Sequence, residues 1–467
     1  MARGKKKETL TPEERLQAAL VPESEQPYKV PENWCWTRLG SLLSEMKNGT
    51  TIKQDKSGIG YKVTRIESLQ NQTIDFERLG TIVNEQEIKD SDWYEVGDIA
   101  LSHINSAEHV GKTALINVNM LPLVHGMNLL RLRFYSECFM PLFFQYFSQS
   151  FQYKDEILSR INMAVNQVSI NQRQISSLEI PLPPFPEQQR IVDRIESLFT
   201  KLDEAKQKVQ DVLDSFETRK AAILHKAFTG ELTAQWRKEH GIEMESWETR
   251  KLSEVATLQT GLMKGKNYSG KTVILPYLRV ANVQDGFLNL SEIKEIEVLE
   301  ERIDRYSLKN GDVLFTEGGD YDKLGRGTVW QGQIKNCLHQ NHVFVVRPQA
   351  DVLSPYFLSY QAGSRYGKQY FLKCSKQTTN LASINSTQLK GFPVQMPTIE
   401  EQAQIVLLID DLLAKEQQAK EAAERVLGQI DLIKKAILAR AFRGELGTND
   451  PNEESAIEEL FKCLSLL

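Results

Sequence analysis

The chain has 467 residues, of which 41% are hydrophobic and 25% are charged. This length predicts two or three domains, and this composition excludes disorder for most of the chain. The formal net charge of −5 lacks the positive excess of a free-standing nucleic-acid binder, although the residues after Gly447 alone contribute −4 of it. No apolar run approaches the roughly 20 residues that span a bilayer, so we expect a cytoplasmic protein without a membrane segment.

Motifs for metal binding and catalysis are missing from the sequence. The five cysteines form no CxxC pair and the seven histidines show no HExxH spacing, which argues against a zinc site or a disulfide framework. Gly111-Lys112-Thr113 resembles the end of a P-loop, but Ser106 stands where its first glycine belongs. The base slot of a methyltransferase needs Asn or Asp before Pro-Pro-aromatic, and the PPF tripeptide here follows Leu182. We therefore predict no catalytic residues, no metal and no cofactor bound by this chain.

The chain repeats itself at one offset of 214 residues. Between positions 187–232 and 401–446 there are 20 identities in 46 without a gap. The same offset matches GDIALS at Gly97 with GDVLFT at Gly311 and brings His125 onto His339. A histidine that matches between the copies more often makes a shared structural hydrogen bond than a base contact. The sequence therefore predicts a duplicated unit of about 200 residues.

In chain order, the predicted fold is α+β, with two pseudo-symmetric, mixed but mainly β domains. Short β-branched and aromatic runs punctuated by glycine predict strands, and MPLFFQYFSQ and SPYFLSYQAG are the only helical patterns within the domains. The segment LTPEERLQAAL could form one further helix before the first domain. The predicted boundaries are a polar N-terminal extension at 1–32, a first domain at 33–186, a spacer helix at 187–232, a linker at 233–246, a second domain at 247–400, a second spacer helix at 401–446 and an acidic tail at 447–467.

Each spacer helix carries apolar residues at steps of 3 and 4, which is typical of a coiled-coil seam. Glycines at 230 and 444 stand where C-terminal caps belong. Antiparallel pairing of the two helices aligns the seams when paired residue numbers sum to 635, which sets Arg219 against Glu416. The alternative is that each helix packs only on its own domain. The predicted seam positions are Ile191, Ile195, Leu198, Leu202, Ala205, Val209, Val212 and Phe216, with Ile405, Ile409, Leu412, Ala419, Ala423, Val426, Ile430, Ile433 and Ile437.

The segment EQxxIVxxI followed by KxAILxxAFxGEL occurs twice, each time after a domain that contains a GDI or GDV motif. This double signature resembles the specificity subunits of type I restriction-modification systems and covers nearly the whole chain. The resemblance implies two target-recognition domains that read double-stranded DNA at two short elements across a non-specific gap. It also implies assembly with two methylation subunits and with restriction and translocation subunits. S-adenosylmethionine, ATP and Mg²⁺ are then expected on those partners.

Candidate DNA contacts are polar residues in glycine-flanked segments or next to predicted strands. Arginine is expected to read guanine, asparagine and glutamine to read adenine, and lysine to meet phosphates. The alternative for any one of them is a solvated surface residue. The candidates are Asn48, Thr50, Lys53, Lys62, Arg65, His103, Asn105, Arg160, Asn162, Asn166 and Gln167 in the first domain, and Lys264, Lys266, Asn267, Tyr268, Lys271, Arg279, Tyr321, Lys323, Lys376, Gln377 and Asn380 in the second.

Polar positions that flank the seam also match between the copies, which a seam alone does not require. We predict a docking surface for two identical partner subunits there, against the alternative of ordinary solvent-facing residues. Its candidates are Glu187, Gln188, Arg190, Lys201, Lys206, Glu401, Gln402, Gln404, Lys415 and Lys420. Two other functions compete with DNA specificity: a self-sufficient DNA enzyme, which would need its own cofactor pocket, and a coiled-coil scaffold that does not bind DNA.

Overall fold

The structure, a computed structural model, describes residues 10–55, 58–164, 167–263, 269–319, 324–325, 327–377 and 382–466. The chain divides into two compact units. The first comprises Met1–Lys208 and Val426–Leu467, and the second comprises Val209–Arg425. Each unit therefore contains one predicted domain together with segments of both long helices.

The described strands of the first unit are short and mostly antiparallel, as its β-branched runs predicted. The central sheet has the order Leu43–Asn48, Leu129–Phe134, Ile99–Ser102 and Thr113–Leu115. A small sheet has the order Asn162–Ala164, Gln167–Ser169 and Ile104–Asn105. Two-stranded pairs complete the set: Cys35–Arg38 with Glu179–Leu182, Tyr61–Val63 with Gly80–Ile82, and Leu69–Gln70 with Thr73–Ile74.

The core of the first unit lies between the central sheet and several helices. Some of these helices were predicted from the sequence and others were not. Pro141–Phe147 confirms the helical pattern of MPLFFQYFSQ. Phe151–Arg160 and Gln172–Ser176 contradict the prediction that the domains hold no other helix. Phe151–Arg160 was missed because its apolar face is narrow: in it only Tyr153 and Ile157 are buried.

The N-terminal extension and the acidic tail of the first unit pack on each other. Pro12–Ala19 forms the expected helix, with Thr11 as its N-cap. The tail folds into a second helix, Ala456–Ser465, whose Leu460 and Leu464 are buried. Arg15 Nη1 donates to the Leu464 carbonyl at 3.0 Å. The two segments that lie furthest apart in the sequence are therefore joined in one hydrophobic core.

The second unit repeats this arrangement. Its central sheet has the order Ala256–Gln259, Val343–Pro348, Val313–Thr316 and Gly327–Val329, and its small sheet has the order Gly318–Gly319, Ala382–Ser383 and Lys376–Gln377. Glu248–Lys251 pairs with Pro393–Met396, and a further sheet has the order Lys294–Leu299, Thr272–Leu278 and Leu338–His339. The helices outside the spacer segments are Ala234–His240, Leu252–Val255, Ile303–Tyr306, Pro355–Gly363, Arg365–Cys374 and Ser386–Lys390.

The spacer segments are helical over nearly the predicted spans. The first runs as Phe185–Asp214 and Phe216–Phe228, and the second as Ile399–Phe442. Gly230 and Gly444 follow them with φ values of +80° and +78°, which confirms their predicted position as caps. At 1.5 Å per residue the 44-residue helix is about 66 Å long.

The core of each unit contains the beginning of one long helix and the end of the other. In the first unit Ile191 and Ile195 pack in the same cluster as Leu438 and Phe442. In the second unit Ile405 and Ile409 pack in the same cluster as Leu224 and Phe228. The alternative in which each helix packs only on its own domain is therefore wrong. The predicted seam is also not uniformly buried, because Val212, Val426 and Ile433 are 44%, 39% and 46% exposed.

Candidate nucleic-acid interface

Two separate groups of predicted DNA contacts meet on the small sheet of the first unit. Strand Gln167–Ser169 pairs on one side with Ile104–Asn105 and on the other with Asn162–Ala164. Asn162 and Gln167 are exposed, and Asn105 is half-buried and donates to Ser102 Oγ at 3.2 Å. The sheet also presents Met163, which is 84% exposed. Amide side chains beside an exposed thioether form a surface able to read base edges.

His103 and Arg160 lie beside this sheet, but only the Arg160 side chain is bound within the unit, since the buried Nδ1 of His103 has no hydrogen-bond partner among the described residues. His103 is half-buried, and burial lowers its pKa. The Arg160 guanidinium lies 2.6 Å from the Glu156 carboxylate and also donates to the Glu156 carbonyl. Arg160 is therefore less suited to direct base contact than Asn162 and Gln167, which are exposed.

The second unit has an equivalent sheet with different side chains. Lys376 is exposed on strand Lys376–Gln377, at the position that Asn162 occupies in the first unit. Lys271 is also exposed and lies 2.9 Å from Glu300. Several candidates lie outside the described residues: Asn166, Lys264, Lys266, Asn267, Tyr268, Tyr321, Lys323 and Asn380.

A second group of candidates gathers around segment 124–126 of the first unit. The Thr50 amide donates to the His125 carbonyl at 2.8 Å, and the Val124 amide donates to the Lys62 carbonyl at 2.9 Å. Asn48 and Lys53 are exposed close by in sequence. Lys53 and Arg65 line one cleft with Glu67, whose carboxylate is 3.0 Å from Arg65 Nε.

The matched arginines Arg65 and Arg279 share a backbone role. The Arg65 amide donates to Ser68 Oγ at 3.0 Å, and the Arg279 amide donates to Asn282 Oδ1 at 2.9 Å. Each amide contact closes the start of a short 3₁₀ turn. Each guanidinium is also ion-paired, that of Arg65 with Glu67 at 3.0 Å and that of Arg279 with Glu292 at 3.5 Å.

The two matched histidines are structural, as predicted. His125 Nε2 lies 3.0 Å from the Leu129 carbonyl, and His339 Nδ1 lies 2.8 Å from the Val343 carbonyl. Both rings are at most 1% exposed. Burial lowers the pKa of His125 to about 3 and that of His339 to about 4.

Sequence reasoning missed one repeated ion pair beneath each interface. Asp98 accepts from Arg133 Nε and Nη2, both at 2.8 Å, and Asp312 accepts from Arg347 at 2.6 and 2.7 Å. Both carboxylates are at most 1% exposed. The signal was available, because both members of each pair match at the offset of 214. These pairs explain the repeated GD motifs, whose glycines at 97 and 311 adopt positive φ.

Four of the predicted docking residues are fully buried, so a surface docking role for them is wrong. Gln188 bonds the Met140 amide and the Cys138 and Pro183 carbonyls, and Gln402 makes the equivalent three bonds in the second unit. Glu401 accepts from Thr233, Arg237 and Trp247. The four buried residues are Glu187, Gln188, Glu401 and Gln402. They match between copies because each fastens a spacer helix to its unit.

The remaining docking candidates stay at the surface or half-buried. Lys201 is exposed, Lys415 lies 2.7 Å from Asp411, and Lys206 lies 3.6 Å from Asp431. Arg190 is bound within its unit, because its guanidinium bridges Glu187 and Glu453 at 2.5 and 2.7 Å. Gln404 and Lys420 are half-buried.

Within the described ranges, no group of three or more His, Cys, Asp or Glu residues is arranged to hold a metal ion. In the same part of the chain, no helix has the length and apolar character needed to cross a bilayer.

The duplicated α+β unit, with a small polar sheet in each copy, defines a protein with two related recognition domains. The sequence matches the family described as type I restriction modification DNA specificity domain over residues 31–214 and 244–425. The chain therefore belongs to the family of type I restriction-modification specificity subunits.

Relatives and solved structures agree with this assignment. The chain is 27% identical to the type I restriction enzyme EcoKI specificity subunit of Escherichia coli K12, covering 90% of each chain. It is 29% identical to the putative type I restriction enzyme MjaX specificity subunit of Methanocaldococcus jannaschii, covering 86% of this chain and 92% of the relative. The fold resembles the crystal structure of the HsdS subunit from Thermoanaerobacter tengcongensis, with a TM-score of 0.60 at 19% identity, covering 90% of this chain and all of the other.

Proposed function

We propose that this chain reads an asymmetric, bipartite DNA target, with one short element recognised by each unit and a non-specific spacer between the elements. In this function the chain catalyses nothing itself. It directs two methylation subunits, and the restriction and translocation subunits, to the target. S-adenosylmethionine, ATP and Mg²⁺ then bind to those partners.

The observation that carries this proposal is the contrast between matched interiors and unmatched surfaces. The buried pair of Asp98 and Arg133 recurs as Asp312 and Arg347. On the small sheets, by contrast, exposed Asn162 is replaced by exposed Lys376. Two domains with one scaffold and different base-facing groups are suited to two different sequences, because base edges carry the specificity and phosphates do not.

The spacer is attributed to the two long helices, paired antiparallel. Support comes from contacts within each unit. In the second unit Arg219 Nε lies 2.7 Å from Glu416 Oε2, as the predicted register requires. In the first unit Lys434 Nζ lies 2.6 Å from Asp203 Oδ1. The second of the two long helices, at about 66 Å, is nearly as long as two turns of B-DNA.

The function is tested by methylome sequencing of a host that carries this chain with its partner subunits. The expected result is a split adenine-methylation motif with two unlike halves. Replacing residues 33–186 by the equivalent domain of a relative with another target changes one half and leaves the other. A contiguous or palindromic motif contradicts the proposal, and so does the absence of any motif.

The helix pairing is tested by exchanging the charges of one ion pair. Arg219→Glu and Glu416→Arg each bring like charges together and lower the stability of the helix pair, and the double variant recovers most of the loss. Thermal unfolding of the full chain measures this. The control pair is Lys415→Glu with Asp411→Lys, an exposed pair one helical turn apart on a single helix. Its reversal leaves the interhelical contacts unchanged. A double variant no more stable than either single variant contradicts the register.

A further inference from the structure

A cavity of about 360 Å³ in the first unit is lined by three lysines from three separate segments. Lys112 follows the turn at Gly111, Lys154 lies in helix Phe151–Arg160, and Lys435 lies on the second long helix. Asn71, at a hairpin tip, lines the same cavity, together with Gln149 and Ser150. The cavity thus lies where the domain, its hairpin and a spacer helix meet within one unit.

The second unit contains a cavity of about 330 Å³ that shares four positions with the first at the offset of the repeat, because Asp285, Gly363, Lys368 and Ala221 correspond to Asn71, Gln149, Lys154 and Lys435. Asp285 is the counterpart of Asn71 at the offset of 214, and Lys368 is the counterpart of Lys154. The hairpins also correspond, because Leu69 pairs with Ile74 and Val283 pairs with Leu288. The repeat therefore supplies an internal comparison for the charges of the two cavities.

The two cavities differ in how their lysines are neutralised. In the second unit the Asp285 carboxylate lies 3.7 Å from Lys220 Nζ and 3.8 Å from Lys368 Nζ. In the first unit the neutral amide of Asn71 replaces that carboxylate. Glu108 is the acidic residue in its lining. Among the described residues, no carboxylate lies within 4 Å of the amino groups of Lys112, Lys154 or Lys435.

Three ammonium groups around one concavity repel each other and give it a positive potential, and water screens part of this repulsion because Lys154 and Lys435 are exposed. A bound anion relieves this repulsion, as Asp285 does in the second unit. The size of the cavity admits a tetrahedral oxyanion, and the lysines, Gln149 and Ser150 supply donors for it.

We propose that this cavity of the first unit is a phosphate-binding site. The phosphate can belong to the DNA backbone or to a free phosphate compound. The DNA source rests on the proposed function, whereas the free source does not.

The test is the substitution Asn71→Asp, which installs the carboxylate that the second unit carries at the same position. Asn71 has a φ of +45°, a conformation that aspartate also tolerates. Lys154→Gln is the second variant, because its exposed side chain can change without disturbing the core. Gln86→Glu is the charge control, since it adds one negative charge at an exposed position of the same unit away from the cavity.

Two measurements distinguish the sources. For the free source, pyrophosphate is titrated into the full chain without DNA, and heat is recorded at constant ionic strength. For the DNA source, duplex binding by the full chain with its methylation subunits is measured over a salt series. One lost phosphate contact lowers the slope of log affinity against log salt by about 1 and the affinity about fivefold near 0.15 M salt.

We expect Asn71→Asp and Lys154→Gln to weaken one of these two interactions, while Gln86→Glu weakens neither. A change in the salt slope on both specific and non-specific duplexes identifies a backbone phosphate. Loss of pyrophosphate binding with unchanged DNA binding identifies a free phosphate compound. Unchanged values in both measurements, or equal losses in Gln86→Glu, overturn the site. The bases of the methylation motif stay the same in every variant, which separates this test from that of the proposed function.

Discussion

The buried pair of Asp98 and Arg133 allows the stability of one recognition unit to be altered without changing the other. Asp98→Asn keeps the shape of the side chain and removes its charge, so the amide nitrogen faces a guanidinium that also donates. The two charge-assisted hydrogen bonds from Arg133, both of 2.8 Å, become weaker. So does the hydrogen bond of 2.7 Å that the Glu95 amide donates to Asp98. A fully buried pair would lose roughly 3–5 kcal/mol, but Arg133 is 28% exposed and can be hydrated. We therefore expect a loss of about 2–3 kcal/mol.

Hydrogen exchange followed by mass spectrometry measures this loss separately in each unit. The amides of strand Ile99–Ser102 should exchange about 30- to 150-fold faster, since 1.36 kcal/mol corresponds to a factor of ten. The equivalent strand Val313–Thr316 should keep its rate, and Asp312→Asn should reverse the pattern. Asp155→Asn, at an exposed carboxylate of the first unit, is the control. Equal effects on both strands, or no effect on either, would refute the structural role assigned to the pair.

Three further predictions concern the histidines, the buried glutamines and the capping glycines. Burial keeps His125 and His339 neutral, with pKa values of about 3 and 4. Below pH 6.5 these histidines therefore bind protons in the unfolded chain before they do so in the folded chain. The stability of the fold is retained above that pH and falls by about 1.4 kcal/mol per histidine for each unit of pH below it. Urea unfolding at pH 7.5, 6.5 and 5.5 measures this dependence, and His125→Gln should flatten it in the first unit alone. Gln188→Ala should cost about 2–4 kcal/mol of stability because three hydrogen bonds are lost. Gln189→Ala, at an exposed position, should cost less than about 0.5 kcal/mol. Equal shifts of the two variants in thermal unfolding would contradict the buried role of Gln188. Gly444→Ala should cost more than the roughly 1–2 kcal/mol of placing a side chain in the left-handed backbone conformation, because its Cβ would also lie 2.3 Å from Pro31. Gly241→Ala, with open space around it, should cost only the backbone strain. Thermal unfolding measures both losses.

The duplication was the strongest prediction because repeated residues at one offset are visible without knowledge of packing. It gave the domain order, the spacer helices, their capping glycines and the contact between Arg219 and Glu416. It could not separate buried polar positions from surface ones. Gln188 and Gln402 match because they satisfy backbone groups inside each unit, and a docking surface would have produced the same match in sequence.

The candidate interface was predictable in composition but not in arrangement. Asn105 and Gln167 lie in segments separated by about 60 residues, and only the pairing of their strands brings them to one sheet. The helices Phe151–Arg160 and Arg365–Cys374 were missed because tertiary packing, rather than a broad apolar face, stabilises them. The grouping of Lys112, Lys154 and Lys435 around one cavity was not predictable for a related reason, because they come from three distant segments.

The packing of the tail into the first unit has a consequence for biosynthesis. The second unit is a continuous stretch of chain, Val209–Arg425, so the ribosome delivers all of it before any of Val426–Leu467 appears. The core of the first unit needs Phe442, Leu460 and Leu464. The domain that is translated first must therefore wait, with part of its apolar surface uncovered, until the domain translated after it has emerged.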